Sequence, residues 1–205
     1  MNESKQAYFE RMAPRWDTVL DAEPLRQRIH AELDGFDINP DETILDVGCG
    51  TGILTEILLE HLSPKGRIIA LDFARAMIEE ARMKIPDGRV CWLCADASST
   101  LLETSSIDRC ICFSAWPHFP APGRTADEIF RLLRPGGMLH ILHIDGREKI
   151  NAVHASVGGA IAHDALPAAR ALGALFAEHG FQLEEAAEGD QRYYVSARKP
   201  SDGGT

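Results

Sequence analysis

Three aspartates close three strand-like runs, and the first is followed at once by glycines. Asp46 lies in Ile44-Leu45-Asp46-Val47-Gly48-Cys49-Gly50-Thr51-Gly52, Asp72 ends Arg67-Ile68-Ile69-Ala70-Leu71-Asp72, and Asp96 follows Arg89 to Ala95. Glycine permits a turn too tight, and a backbone too close to a ligand, for a residue with a Cβ. Apolar residues at helical spacing continue from Ile53 to Leu62, so a helix N-terminus points its free N–H groups at the loop. Asp72 comes twenty residues after Gly52, where a carboxylate suits the two hydroxyls of a ribose. A carboxylate at Asp46 would repel a pyrophosphate and suits a ligand carrying an ammonium group. The spacing also departs from Gly-x-Gly-x-x-Gly: the third glycine comes one residue early, and Ile53 takes the expected place. In a doubly wound sheet the three strand ends share one edge, around one crevice.

A second set of polar residues follows the later strands. His118 sits in Ala115-Trp116-Pro117-His118-Phe119-Pro120-Ala121-Pro122-Gly123, a rigid aromatic loop after the strand Ile107 to Ser114. Alternation along Met138 to Ile144 sends His140 to one face, and His143 with Asp145 to the other, at the ligand-facing end. Arg147, Asn151 and His154 fall at i, i+4 and i+7 and share one helical face. Imidazoles serve as bases or as stacking partners. No histidine pair has the i, i+4 spacing of a helical metal site with a carboxylate partner, so no metal is expected unless the fold assembles His143, Asp145, His154 and His163. Cys91 and Cys94 point to opposite faces of a strand, and Cys110 and Cys112 share a buried one, so all four are expected in the core. No Gly-x-Ser-x-Gly elbow supports hydrolase chemistry.

The elements that must position these groups alternate strand and helix. Helical pattern runs from Lys5 to Leu20 with a break near Pro14, and again from Leu25 to Leu33. Helices Ala74 to Ile85, Thr125 to Leu133 and Ala168 to His179 separate the later strands. The segments Phe181 to Ala187 and Tyr193 to Lys199 form a hairpin. With 205 residues, 45% of them hydrophobic, the chain can bury one good-sized core. It divides into an N-terminal helical segment 1–40, a main domain 41–200 and a loose tail 201–205. A net charge of −10 argues against a nucleic-acid partner. No stretch reaches the length of a membrane span, the start is not signal-like, and the odd count of five cysteines fits a reducing, cytoplasmic setting.

The glycine segment is similar to the first motif of the class I S-adenosylmethionine-dependent methyltransferases, where the methionine end of the cofactor lies along this loop. Tyr8-Phe9-Glu10-Arg11-Met12-Ala13-Pro14-Arg15-Trp16-Asp17 resembles the lid segment of the quinone-biosynthesis (type 11/25) branch. Asp96-Ala97 matches the family's contact with the adenine amino group. Asp108 stands where the family has an acid opening strand four, and Arg134-Pro135-Gly136-Gly137 resembles its post-helix turn. The resemblance spans essentially the whole chain. It implies an α/β, Rossmann-like doubly wound sheet of seven mostly parallel strands, with an antiparallel C-terminal strand and helices on both faces. It implies S-adenosylmethionine as cofactor, held by Tyr8, Trp16, Asp46, Gly48, Cys49, Gly50, Thr51, Gly52, Asp72, Phe73, Met77, Asp96, Ala97 and Ser114. A small-molecule acceptor would meet Trp116, Arg147, Asn151 and His154, with His118 or His143 as base where the acceptor must lose a proton. The protein is expected as a monomer or homodimer. Two rivals share such a sheet. A nucleotide-dependent oxidoreductase is disfavoured by the glycine spacing and Asp46. A non-catalytic S-adenosylmethionine- or S-adenosylhomocysteine-binding protein is disfavoured by the polar face of residues 147 to 154.

Overall fold

Alternation of apolar residues along the strands decides the layering. Leu45 and Val47 of strand β1 (Thr43–Val47) pack into one apolar cluster, while Ile44 packs into another on the opposite face. The same split recurs in β4 (Ile107–Phe113), with Cys110 and Cys112 on one face and Ile111 and Phe113 on the other. Strands buried on both faces need helices on both. These relations come from a computed structural model that describes residues 3–19 and 22–201. Of the expected tail, Asp202 to Thr205 lie outside the described residues, as does Leu20 of the first helical run.

The remaining strands are β2 (Arg67–Asp72), β3 (Val90–Cys94), β5 (Leu133–His143), β6 (Gln182–Gly189) and β7 (Arg192–Arg198). They form one seven-stranded sheet in the order β3-β2-β1-β4-β5-β7-β6. Strands β1 to β5 run parallel, and β7 lies antiparallel between β5 and β6. The chain reverses its direction of travel across the sheet between β1 and β4, which places a crevice at their C-terminal ends.

Helices α1 (Lys5–Met12), α2 (Trp16–Val19) and α3 (Ala22–Leu33) precede β1, with a 3-10 turn at Ala13–Arg15 between the first two. Pro14 lacks the N–H that a continuous helix needs there, which accounts for the break. Helices α4 (Ile53–His61) and α5 (Arg75–Lys84) follow β1 and β2, and α6 (Pro122–Leu132) links β4 to β5. Helices α7 (Arg147–Val157) and α8 (Ala169–Glu178) lie between β5 and β6. Among the described residues no helix is long and apolar enough to cross a membrane.

Two expectations change. Cys91 and Cys94 are exposed, whereas Cys110 and Cys112 are buried. Strand β3 is the edge of the sheet, and its neighbours leave both of its thiols in contact with water. Strand β5 also starts at Leu133, five residues earlier than Met138. The Gly136 N–H donates to Lys199 and the Lys199 N–H to Gly137, so the glycine turn is drawn into the ladder beside β7.

Candidate active site

The loop after β1 is tied down before any ligand is considered. The N–H groups of Gly48 and Cys49 both donate to the Leu71 carbonyl, at 2.8 and 2.9 Å, fastening the turn to the end of β2. Gly48 has φ 74°, and a Cβ there would stand 2.4 Å from that of Ala115, so the loops after β1 and β4 touch through it. Asp46 lies beneath this loop at 1% exposure and does not line the cleft. Thr55, in the first turn of α4, donates its hydroxyl to Asp46 Oδ2 at 2.6 Å, and Oδ1 is buried without a partner. Burial raises this carboxyl to about 7, against the opposing pull of the Thr55 bond. The side chain expected to meet an ammonium group is thus turned under the backbone. Cys49 is buried, and Thr51 gives its hydroxyl to Asp17 at 2.6 Å.

Asp72 does reach the cleft, a cavity of about 230 Å³ above the C-terminal strand ends. It accepts from the Gly50 N–H at 3.0 Å and the Ala74 N–H at 2.8 Å. Burial raises its carboxyl to about 6, with those amides holding it down. Phe73 and Met77 add apolar wall beside it. Gly50 has φ 52°, and a Cβ there would meet only the Trp16 indole nitrogen, 3.9 Å away, so its backbone is bare toward the cavity. A backbone cradle, a carboxylate and two apolar side chains suit an adenosine-bearing ligand. Asp96 and Ala97 do not line this space. Asp96 accepts from the Ser98 N–H at 2.8 Å in a local turn, because β3 ends at the sheet margin.

The N-terminal helices roof the cavity. Phe9 lies edge-on to Trp16 and Phe73, each 5.7 Å away, and to His118 at 5.0 Å. Tyr8 packs edge-on against Phe9 and does not line the cavity. Glu10 accepts from the N–H groups of Arg75 and Ala76, both at 2.8 Å, satisfying the start of α5. Asp17 pairs with Lys84 at 2.5 Å.

Ser114, His118 and His143 line the same cavity. Ser114 follows β4 with φ 54°, a left-handed conformation unusual outside glycine. His118 Nδ1 donates to Asp164 Oδ2 at 2.7 Å. His143 is 2% exposed and its Nε2 has no partner; burial lowers its pKa to about 3, which keeps the ring neutral. His154 gives its Nδ1–H to the Asp164 carbonyl at 2.7 Å, with its ring 4.9 Å from His118.

The remaining expected acceptor contacts are engaged elsewhere. Asn151 spends both ends of its amide on the backbone of Leu166, at 2.7 and 3.1 Å. Arg147 faces Glu188 at 3.3 Å, in a surface depression beside the β6–β7 turn. Trp116 is 3% exposed and packs edge-on against Phe176 and Phe119, supporting the cavity wall from behind. Asn151 and His154 therefore brace the loop that carries Asp164, while Arg147 turns to Glu188. His163 is exposed, and among the described residues no group of three His, Cys, Asp or Glu side chains is arranged to hold a metal ion.

Arg28, Lys5 and Asp164 are the groups that motif reading missed. Arg28 on α3 lines the cavity and donates to the carbonyls of Ile144 and Gln191. Its only sequence signal is a basic residue in an otherwise amphipathic helix.

The methyltransferase-domain family matches residues 45–141, from the strand before the glycine loop through most of β5. A trans-aconitate 2-methyltransferase from Azoarcus sp. is 30% identical over 183 residues, covering 83% of this chain and 71% of that protein. The chain belongs to the S-adenosylmethionine-dependent methyltransferases. A malonyl-[acyl-carrier protein] O-methyltransferase from Anoxybacillus flavithermus is 30% identical over 157 residues, or 77% of this chain and 58% of that protein. A 2-phytyl-1,4-naphtoquinone methyltransferase from Thermosynechococcus vestitus is 32% identical over 143 residues, or 67% and 63%. The chain thus spans less than two thirds of each of these two methyltransferases. Among solved structures, an S-adenosyl-L-methionine-dependent methyltransferase fold from Methanococcus maripaludis superposes with a TM-score of 0.73 at 20% identity, covering 100% of this chain and 99% of that one.

Proposed function

We propose that the protein transfers the methyl group of S-adenosylmethionine to a small-molecule acceptor inside the roofed cavity. One observation carries this reading: Gly50, Asp72, Phe73 and Met77 line a single cavity together with His118 and His143. When bound, S-adenosylmethionine supplies an already activated methyl group, with the C–S bonding pair returning to sulfur as the acceptor's pair forms the new bond. Asp72 and the Gly50 backbone hold the nucleoside end, against Phe73 and Met77. Trp16 and Phe9 exclude water from above, so the protein's contribution is largely positioning and desolvation. His118 is the candidate base. His143, kept neutral, stands beside the same cavity with its buried Nε2 unpartnered. Arg28, engaged with two backbone carbonyls and 3.9 Å from Asp145, adds a positive charge to the cavity wall.

The three relatives named above act on a malonyl group carried by acyl-carrier protein, an aconitate and a phytyl-naphthoquinone by their names. Their spread supports a small organic acceptor here rather than any one of them. The negative net charge supports the absence of a nucleic-acid partner, and the five free cysteines support a cytoplasmic, reducing location. Residues 1–40 form the lid and 41–200 the cofactor domain of a monomer or homodimer.

Calorimetric titration with S-adenosylhomocysteine and with NADH tests the cofactor. Binding of the thioether without NADH is expected; NADH alone would overturn the reading. Incubating the protein and methyl-labelled S-adenosylmethionine with cell extract, then locating the label by mass spectrometry, identifies the acceptor.

A further inference from the structure

His118 is held from two elements distant in sequence. Asp164, at 8% exposure, takes the His118 Nδ1–H at 2.7 Å through Oδ2. Its other oxygen lies 2.5 Å from the ammonium of Lys5 on α1, and Lys5 also donates to the His118 carbonyl at 3.1 Å. One lysine of the lid therefore grips both the ring's backbone and the ring's partner. The Asp164 carbonyl is fixed in turn by His154 at 2.7 Å. A carboxylate on Nδ1–H selects one neutral tautomer and leaves the Nε2 lone pair free. His118 lines the cavity, so Nε2 is the ring nitrogen left to face an acceptor.

Taking methyl transfer as the activity, we propose that Asp164, clamped by Lys5, is the positioning residue that fixes His118 as general base. The acceptor is then a molecule whose methylated atom must surrender a proton, such as a phenol, enol or other weakly acidic hydroxyl. The proton passes from the acceptor O–H to His118 Nε2, and the O–H bonding pair stays on oxygen as the nucleophile. The imidazolium keeps its Nδ1–H on the ionised Asp164 and later releases the Nε2 proton to water. A carboxylate acceptor is already ionised at neutral pH and has no use for such a base.

The charges around the ring suit this role. Burial lowers the His118 pKa, the Asp164 carboxylate opposes that shift, and His154 from α7 and Lys5 from α1 add to it. His143 from β5 also faces the ring, as a neutral group. His118 is consequently unprotonated at neutral pH. Because Lys5 belongs to α1, the roof of the cavity itself supplies the clamp on the His118–Asp164 pair.

The test uses the full chain with 15N-labelled histidine, with S-adenosylhomocysteine added. Nitrogen shifts are expected to report His118 as the Nδ1–H tautomer, titrating below 6.5. Asp164→Asn should mix or invert the tautomers, and Lys5→Met should partly release them, with S-adenosylhomocysteine affinity held within about twofold. With the acceptor recovered by label transfer, Asp164→Asn should lower kcat at least about tenfold and displace the acidic limb of its pH profile. A proton on Nε2 in the wild-type ring, or unchanged tautomer and kcat in Asp164→Asn, would overturn the inference. Failure of the wild-type protein to bind S-adenosylhomocysteine would instead overturn the methyltransferase reading itself.

Discussion

Asp46 and His143 are buried to 1% and 2% exposure, and burial drives both toward their neutral forms with opposite consequences for pH. Asp46 is raised from 3.8 to about 7 on folding, so its neutral carboxyl favours the fold at low pH. That contribution falls as pH rises from 3.8 through about 7. His143 is lowered from 6.5 to about 3, so it favours the fold above 6.5 and loses that contribution as pH drops toward 3. The two slopes oppose each other in the same window. Asp46→Asn keeps the oxygen that accepts from Thr55 and removes the titration. Its unfolding free energy should therefore gain on the wild type between pH 5 and pH 8, by about 1–3 kcal/mol. An unchanged difference across that range would show that Asp46 does not titrate there. Asp72 is the counterpart whose charge faces the cavity. Asp72→Asn should weaken S-adenosylhomocysteine about 10–100-fold by calorimetry, the magnitude of hydrogen bonds to a charged group. Asp72 was legible because its place in the strand-turn-helix pattern is local. Asp46 looked like its equal in sequence, and only packing against Thr55 shows it turned under the loop.

The lid is held to the body by side chains that do duty as helix caps and ion pairs. Glu10 satisfies two orphan N–H groups of α5, so its removal costs the helix start as well as the docked roof. Glu10→Ala should raise hydrogen exchange at Arg75, Ala76 and across α1, and weaken S-adenosylhomocysteine by about 1 kcal/mol, or about fivefold. Unchanged exchange in α1 would separate the cap from the lid. Helix α7 works differently. Asn151 braces the loop that carries Asp164, so Asn151→Ala removes two hydrogen bonds to backbone at once. A loss of about 2 kcal/mol in urea denaturation is expected. The α7 face was visible as a polar stripe at helical spacing, but spacing does not say what the stripe faces. Asp164 lies 46 residues from His118, and no local pattern joins them. The cysteines of β3 teach the same lesson, since edge or centre depends on strand order rather than on the strand's own residues.

Across the molecule, the sheet keeps its chemistry at one end and its strongest polar brace toward the other. The doubly wound plan was readable because each glycine turn and strand end announces itself locally. The brace was not, because Glu42, Arg109, His140 and Tyr194 come from four separate places in the chain. Arg109 of β4 is 6% exposed and holds Glu42 through Nε at 2.8 Å and Nη2 at 3.0 Å. Its Nη1 donates to His140 Nε2 at 2.8 Å, leaving the His140 Nδ1–H for the Tyr194 hydroxyl at 2.8 Å. Phe36 stacks on that ring at 4.1 Å. Burial first, and the Arg109 charge next, hold His140 well below its ordinary pKa, which fixes it as the neutral link between cation and phenol. Removing the cation leaves a half-buried carboxylate and a buried imidazole without their shared partner. Arg109→Met should therefore cost about 3–5 kcal/mol of stability in chemical denaturation. The double variant with Glu42→Gln should recover part of that loss, because it removes the unpaired charge. Arg109 pairs in register with Ile44 and Met138, well before the strand ends that carry the cavity. The folded fraction of both variants should bind S-adenosylhomocysteine as the wild type does. Weakened binding in protein that remains folded by circular dichroism would mean that the brace and the cofactor cradle are energetically one unit.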